Sequence, residues 1–367
     1  MTDATTDSMT DDGARVDAPA YSVVIPTIGR PCLADCLRAL AGADGGRPPD
    51  RVVVVDDRPG SGEPLPLAAA GILRDRVRTL RTGGRGPAAA RNAGWRTVST
   101  PWTVFLDDDV QVLPEWARHL ARDLAAAGPA TGGVQGRLTV PLPGDRRPTD
   151  WERGTAGLEH AAWATADMAY RTDVLRQVGG FDERFRRAFR EDADLALRVG
   201  EAGWRLGRGS RTTRHPVRPA DRWVSVRAQR GNADDVLMTR LHGRDWWRRA
   251  RAPRGRISRH TLVTAAALVA LGCALTGRRR AAGAAAALWA AGTAEFALAR
   301  IRPGPRTGAE IATMVVTSVL IPPLAVHHRL TALVRHRRAR PLPTGRPAPT
   351  RQQTPATPGA PPIGGPS

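Results

Sequence analysis

Residues 102–109 read WTVFLDDD, an apolar run that ends directly in three aspartates. Its aromatic and β-branched residues favour a strand, and we predict one over Trp102–Leu106. Similar runs at Tyr21–Pro26, Arg51–Val55 and Val77–Leu80 precede it and alternate with helix-like stretches. This alternation predicts an α/β fold in which helices cover a mostly parallel sheet.

The segments around these strands are less regular. A Gly-rich turn that begins at Gly83 opens a predicted helix over Ala88–Val98. Further along, we predict a strand near Val134–Val140 and helices at Thr172–Val178 and Asp192–Ala202. This second half is expected to shape the side of the domain that receives the second substrate.

The charge of the chain is large and unevenly distributed. The sequence has 55 basic and 35 acidic side chains, and every basic one is arginine. The lack of lysine excludes a Walker-type phosphate loop and Schiff-base catalysis, which both need a lysine amine. Residues 241–340 hold 18 arginines and 3 acids beside apolar segments, which favours anionic lipid headgroups over nucleic acid as the partner.

Three apolar segments in the last third are suited to a bilayer: Thr261–Thr276, Ala281–Ala299 and Ile311–Val326. The third contains Pro322–Pro323, and the number of crossings stays open between two and three, with two favoured because they keep the basic end inside. The first twenty residues lack a signal-peptide pattern, so the preceding domain is expected in the cytoplasm. The predicted organisation is a disordered leader (1–18), a catalytic domain (19–243), a basic interfacial segment with Trp246–Trp247 (244–260), membrane-associated helices (261–334) and a disordered Arg/Pro-rich tail (335–367).

Two groups of aspartates follow predicted strands, at the edge where an open α/β sheet binds its ligands. Asp56–Asp57 could accept hydrogen bonds from a nucleobase or a ribose, although turn aspartates look the same. In Asp107–Asp108–Asp109 the mutual repulsion of three carboxylates would be relieved by Mg²⁺ or Mn²⁺ held together with a diphosphate. The alternative for this triplet is a solvated acidic loop.

Three further features are candidates for chemistry. Glu191–Asp192 offers a base for an acceptor hydroxyl, or else the acids favoured in the first turn of any helix. The turn before the helix at Ala88 could cradle phosphates, with Arg85 or Arg91 facing them. His215 could contact a metal or a diphosphate, or it could be a surface or capping histidine.

Taken together and in this order, the motifs resemble the family 2 glycosyltransferases over roughly Tyr21 to Gly231. The matching segments are 21–30 (YSVVIPTIGR), 52–57 (VVVVDD), 86–94 (GPAAARNAG), 104–109 (VFLDDD), 166–185 (ADMAYRTDVLRQVGGFDERF) and 191–198 (EDADLALR). The resemblance implies a Rossmann-like, A-type nucleotide-sugar-binding domain with a mixed, mainly parallel sheet.

The resemblance also implies roles for individual residues. Asp57 would contact the nucleobase or ribose, Asp107 and Asp109 would lie at the metal and diphosphate, and Asp192, with Glu191 beside it, would act as base. The full set expected at the nucleotide sugar is Pro26, Thr27, Asp56, Asp57, Arg85, Arg91, Asn92, Asp107, Asp108 and Asp167.

The function expected from this resemblance is transfer of a sugar from a nucleotide-diphosphate donor to a hydroxyl acceptor, with inversion and a divalent cation, Mg²⁺ or Mn²⁺. Cell-envelope glycan or glycolipid synthesis at the membrane, with a lipid-linked acceptor and no nucleic acid, is the expected setting. Residues 229–235 lack the QxxRW signature of processive synthases, so one sugar per encounter is expected. The alternatives are an inactive membrane-docked binding protein of the same fold, a polytopic membrane protein with a soluble cap, and a nucleotidyltransferase.

Overall fold

The computed structural model describes residues 19–60, 62–343 and 345. The predicted leader and nearly all of the tail beyond residue 343 lie outside these residues. The core is one eight-stranded sheet in the spatial order β3-β2-β1-β4-β7-β6-β8-β5. Its strands are Tyr21–Thr27 (β1), Val52–Asp56 (β2), Val77–Arg81 (β3), Trp102–Leu106 (β4), Gln111–Val112 (β5), Thr131–Thr139 (β6), Asp167–Arg171 (β7) and Arg205–Arg214 (β8).

Helices cover both faces of the sheet and continue past it. In the sheet domain they are Cys32–Ala41 (α1), Pro87–Trp95 (α2), Trp116–Ala125 (α3), Asp150–Ala156 (α4), Thr172–Val178 (α5), Glu191–Glu201 (α6), Val224–Arg227 (α7), Gly231–His242 (α8) and Trp246–Arg249 (α9). Three long helices follow: Ile257–Leu275 (α10), Arg279–Ile301 (α11) and Gly308–Arg335 (α12).

The pairing of the strands confirms the predicted mixed, mainly parallel sheet. Strands β1 to β4 run parallel to one another where they pair, whereas β7 is antiparallel to both β4 and β6. Thr27 at the end of β1 lies beside Asp56 at the end of β2. The loops that carry Asp57 and Asp107 therefore leave the sheet at the same edge, as parallel strands require.

Two apolar layers sandwich the sheet, because both faces of its central strands are buried. One layer packs α1 and α3 against the sheet, and the other packs α2, α5 and α6 on the opposite face. Helix α2 approaches the strands so closely that a Cβ added at Gly94 would lie 2.4 Å from Val24 Cγ1. This contact fixes the position of the segment that carries Arg91.

The structure differs from the prediction in the second half of the domain. β7 and β8 were not predicted. The sequence of β8, RLGRGSRTTR, has no apolar alternation, because its inward-facing positions are the fully buried Arg211 and Thr213. Trp246 was expected at a membrane surface, but it is only 5% exposed and packs in an apolar cluster with Phe185 and Leu237 of the catalytic domain.

The three C-terminal helices are each long and apolar enough to cross a membrane. Each begins two to four residues before its predicted apolar segment; α10 ends one residue before its segment, α11 two residues after and α12 nine residues after. In α10 and α11 only 11% and 6% of the most apolar window is buried, against 33% in α12. The first two thus expose most of their surface, whereas α12 has a buried side.

Candidate active site

Two aspartates after β4 and a histidine after β8 form a cluster suited to a metal ion. One ligand atom from each of Asp107, Asp109 and His215 lies within 4.8 Å of the other two. Asp109 and His215 are buried, and Asp107 is partly exposed. Two carboxylates and an imidazole suit Mn²⁺, so the donor set fits a divalent cation.

Asp109 lies among charged groups that shift its pKa in opposite directions. Burial and the neighbouring Asp107 raise the pKa of Asp109, while His215 and Arg218 oppose that rise. Arg218 Nε lies 2.9 Å from Asp109 Oδ2, and His215 Nε2 lies 3.7 Å from Oδ1. A protein cation thus already balances part of the negative charge at this carboxylate.

The middle aspartate of the triplet has an internal partner instead. Thr27 donates to Asp108 Oδ2 at 2.6 Å, and Arg30 Nη1 donates to Oδ1 at 2.9 Å. Asp108 is only 2% exposed. These contacts connect the loop of the three aspartates to the end of β1 and to the loop that follows it. Pro26, within β1, is partly buried beside β2.

Arg91 links the acidic loop to the start of α6. Its Nη2 donates to Asp107 Oδ1 at 2.7 Å and its Nη1 donates to Glu191 Oε1 at 2.8 Å. The guanidinium is 1% exposed and lies 5.6 Å from the centre of the Phe181 ring. Arg91 therefore joins the loop of Asp107 to the start of α6. It is too buried to act as a free phosphate ligand.

Glu191 and Asp192 differ in exposure and in bonding. Glu191 is 2% exposed, and burial together with Asp192 raises its pKa to about 8, against the lowering effect of Arg91. Asp192 is partly exposed and accepts a 2.7 Å bond from the Ala193 N–H through Oδ1. Burial also raises the pKa of Asp192, which makes its carboxylate a better proton acceptor.

The backbone before α6 sets the direction of these two acids. Arg190 adopts a left-handed conformation with φ 76° immediately before the helix. Its guanidinium lies 4.3 Å from the Phe189 ring centre and 4.9 Å from that of Trp246, and it donates to Asp235. These contacts hold a conformation that a bulky residue rarely adopts.

Asp56 and Asp57 are both engaged within the protein. Arg58 donates to both oxygens of Asp56, which lowers the pKa of that carboxyl. Asp57 accepts from the Thr82 hydroxyl at 2.6 Å and from the N–H groups of Arg85 and Gly86 at 2.8 Å each. Asp57 thus organises the Gly-rich turn before α2.

The remaining expected donor residues occupy different environments. The Arg85 side chain is 56% exposed and pairs with Glu183. Asn92 is 1% exposed, and its amide bonds the backbone N–H and carbonyl of Phe181. Asn92 therefore joins α2 to the loop after α5 instead of facing the cleft.

Asp167 lies inside the domain and has no open side toward the cleft. It is fully buried, and its carboxylate accepts from Arg211 Nε, Trp116 Nε1 and Thr213 Oγ1 at 2.7, 2.8 and 2.6 Å. A Cβ added at Gly136 would lie 2.3 Å from Asp167 Oδ2. These contacts stabilise a carboxylate in the interior of the domain. They leave Asp167 no exposed oxygen for a nucleotide sugar, contrary to the expectation from the sequence.

The roles of His215 in the cluster and of Arg218 beside it were not assigned from the sequence. His215 was left between a metal contact and a capping role, and the structure brings it to Asp109. Arg218 was not considered. Its position three residues after His215, at the end of an unpredicted strand, gave no signal in the sequence.

Comparison with known proteins agrees with this geometry. Residues 22–193 match the family model described as glycosyl transferase family 2. The pre-mycofactocin glycosyltransferase of Mycobacterium tuberculosis is 31% identical over 172 residues, covering 42% of this chain and 35% of that protein. Succinoglycan biosynthesis protein ExoO of Rhizobium meliloti is 33% identical over 158 residues, covering 41% of this chain and 44% of that protein. The chain thus matches less than half the length of these relatives.

Solved structures of glycosyltransferases are also similar to this chain. The mannosyltransferase PcManGT from Pyrobaculum calidifontis, in complex with GDP-Man and Mn²⁺, is 19% identical with a TM-score of 0.48, covering 86% of this chain and 87% of that chain. GalNAc-T7 with UDP, GalNAc and Mn²⁺ is 15% identical with a TM-score of 0.44, covering 64% and 55% of the two chains.

Proposed function

Because residues 22–193 belong to glycosyltransferase family 2, we propose that this protein transfers a sugar from a nucleoside-diphosphate donor to a hydroxyl acceptor. The transfer inverts the anomeric carbon and serves the synthesis of a cell-envelope glycan or glycolipid. The name of one curated relative, a glycosyltransferase, supports the reaction, and that of the other, a succinoglycan biosynthesis protein, supports a role in glycan synthesis.

The observation that carries the proposal is the buried Arg91 between Asp107 and Glu191. One guanidinium contacts the loop with the metal-type cluster and the helix start with the candidate base. The two groups that an inverting transfer needs, a site for the leaving diphosphate and a base for the acceptor, therefore border one cleft.

The chemistry assigned to this cleft is a single displacement. Asp192 takes the proton of the acceptor hydroxyl while the acceptor oxygen bonds to the anomeric carbon of the donor. The bond from that carbon to the diphosphate oxygen breaks, and the nucleoside diphosphate leaves with the electron pair. Glu191, held by Arg91, stabilises the position of the helix start and does not itself face the acceptor.

Asp107, Asp109 and His215 are the residues that would hold Mg²⁺ or Mn²⁺. The cation would supply Lewis-acid stabilisation of the negative charge on the leaving diphosphate. Arg218, which contacts Asp109, would carry part of the same charge. Asp57 and the turn that it organises lie at the same sheet edge and form the wall against the nucleoside.

The acceptor would arrive from the membrane side, as a lipid-linked or membrane-proximal molecule. A groove of about 540 Å³ lies between residues 149–152 and 217–225 of the catalytic domain and the first turns of α12. Arg218 lines this groove and also contacts Asp109. Because Arg218 connects the groove beside α12 with Asp109, an acceptor from the membrane side is favoured. The catalytic domain would lie in the cytoplasm, where nucleotide sugars are made.

Two substitutions test the roles separately in the full chain. Thermal unfolding with a panel of nucleoside-diphosphate sugars, with and without Mn²⁺, identifies a donor that stabilises the protein. We expect Asp109→Asn to lose the Mn²⁺-dependent part of this stabilisation. We expect Asp192→Asn to keep it, while transfer to acceptor falls about 10²–10⁴-fold because the base is lost.

Asp35→Asn provides the matched control, since Asp35 is exposed on α1 and pairs only with Arg38. It should behave like the unchanged protein in both assays. Normal transfer by Asp192→Asn would contradict the assignment of the base. Failure of every donor to stabilise the unchanged protein would favour the inactive binding protein.

A further inference from the structure

The third apolar helix, α12, contacts the catalytic domain along its whole length. Near its start, Glu310 Oε1 accepts from the Asp150 N–H at 3.0 Å. Near its end, Ala332 is buried with Ala233 of α8. Five residues after the helix, the Arg340 carbonyl accepts from Arg184 Nη2 at 3.0 Å.

These contacts are incompatible with a crossing of the bilayer by α12. The helix has 28 residues and is about 42 Å long, whereas the hydrocarbon core of a bilayer is about 30 Å thick. A crossing helix would place its two ends on opposite sides of the membrane. One soluble domain cannot contact both ends in that arrangement.

The side of α12 that faces away from the catalytic domain is apolar and exposed. Its buried residues include Met314, Ile321 and Ala325, which follow one stripe along the helix. The opposite stripe exposes Val315, Val316, Val319, Leu320, Leu330, Leu333 and Val334. A stripe of this length in contact with water would be unfavourable, so it needs a partner.

We propose that α12 lies flat in the surface of the bilayer, with this stripe in contact with lipid, and that only α10 and α11 cross. On its buried side, α12 adjoins the hairpin of α10 and α11, because Pro322 lines a crevice together with His260 of α10 and Phe296 of α11. Exposed arginines follow the stripe at Arg335 and Arg338. Cations beside an apolar helix face attract anionic headgroups, and they would repel a second copy of the same face.

The proposal predicts a uniform depth along α12 in the membrane. Single cysteines for nitroxide labels replace Val316, Val319, Leu330 or Val334 in the full chain, after Cys32→Ser and Cys273→Ala. The remaining Cys36 is 1% exposed and does not react. The labelled protein is placed in vesicles of phosphatidylcholine and phosphatidylglycerol, and depth is measured from relaxation by oxygen and by a water-soluble nickel chelate.

All four labels on α12 should lie at one shallow depth, although Val316 and Val334 are about 27 Å apart along the helix. Labels at Leu262, Val269 and Leu275 of α10, which are all exposed, provide the matched control and should lie at graded depths. Graded depth along α12 would overturn the proposal. Labels that oxygen cannot reach and that couple to one another, or labels reached equally by the chelate from water, would also overturn it.

Sidedness gives a second, independent measurement. Cysteines that replace Arg74 of the catalytic domain and Arg338 beyond α12 are both exposed. In sealed vesicles of one orientation, a membrane-impermeant maleimide should label both or neither. Labelling of only one of the two would show that α12 crosses.

Discussion

At the scale of single residues, the guanidinium of Arg91 joins the loop of Asp107 to Glu191 at the start of α6. Removing Arg91 would leave Glu191 as a buried acid without its cation and would take away the partner of the half-buried Asp107. We expect Arg91→Met to lower the free energy of unfolding by about 3–5 kcal/mol, the usual effect of breaking a buried ion pair. Arg85→Met is the control, because Arg85 is 56% exposed and its loss should cost about 1 kcal/mol or less. Urea unfolding measures both, and equal effects would contradict the role of Arg91.

Glu191 should make stability depend on pH. Its pKa is raised to about 8 in the folded protein, mainly by burial, from an ordinary value of 4.5. The folded state therefore holds this proton more tightly than the unfolded state, and stability is lost as the pH rises from about 4.5 to about 8. Glu191→Gln should flatten this decline, measured by urea unfolding with a chelator present, whereas Glu115→Gln on the exposed surface should not. An unchanged slope in Glu191→Gln would show that the carboxyl titrates normally.

The sequence could predict which loops carry the acids but not which acids stay open to the cleft. Asp57, Asp107 and Asp192 all lie after the strands or at the helix start where their motifs place them. Whether a carboxylate is free depends on donors that are distant in sequence. Asp167 is engaged by Arg211, 44 residues away, and no local pattern predicts that contact.

At the scale of secondary structure, α2 packs against the sheet with almost no space at Gly94. A Cβ at Gly94 would lie 2.4 Å from Val24 Cγ1 and 3.1 Å from Val55 Cγ2. We expect Gly94→Ala to cost about 1–3 kcal/mol of stability, because overpacking outweighs the better helix propensity of alanine. Gly200→Ala in α6 meets no atom within 4 Å and should be stabilising by up to about 1 kcal/mol. Thermal unfolding of the two variants compares them, and a stabilised Gly94→Ala would refute the close packing.

Three of the predicted strands have side chains that are apolar on both faces, whereas β3 and β6 were predicted from weaker patterns. Strands β1, β2 and β4 read as continuous apolar runs, since the central strands of a parallel sheet are buried on both sides. Strand β8 was missed because its buried side is polar and is satisfied by ion pairs and hydrogen bonds. Periodicity of hydrophobic residues cannot reveal a strand of that kind.

At the scale of the whole molecule, hydropathy identified three apolar segments but could not determine how each lies in the membrane. A helix that crosses and a helix that lies between a soluble domain and lipid can share the same composition. The contacts of Glu310 in α12 with Asp150, and of Arg340 beyond α12 with Arg184, distinguish the two arrangements. The first half of the sheet was thus predictable from local pattern, whereas the way α12 packs on the domain was not.

The junction between the catalytic domain and the membrane helices depends on Arg300. This side chain is 8% exposed and donates to Asp150 of α4, to Ser225 of α7, and to Thr317 and Ser318 of α12. Arg300, near the end of α11, thus joins the hairpin of α10 and α11 to the catalytic domain and to α12. Substitution by methionine would leave Asp150 with only the weaker pairing to Arg153, at 3.3 Å.

We therefore expect Arg300→Met to loosen α4 and α7 without unfolding the sheet. In membranes, amide hydrogen exchange in these two helices should accelerate by about 10–100-fold, because a local opening no longer breaks the buried contacts of the guanidinium. Exchange in β1 and β4 should not change. Arg302→Met is the control, since Arg302 is exposed and its hydrogen bonds are made by its backbone: the carbonyl accepts from Arg147 and Arg306, and the N–H donates to Leu298. Equal exchange in the two variants would mean that the domain is held to the membrane helices by the apolar contacts of α12 alone.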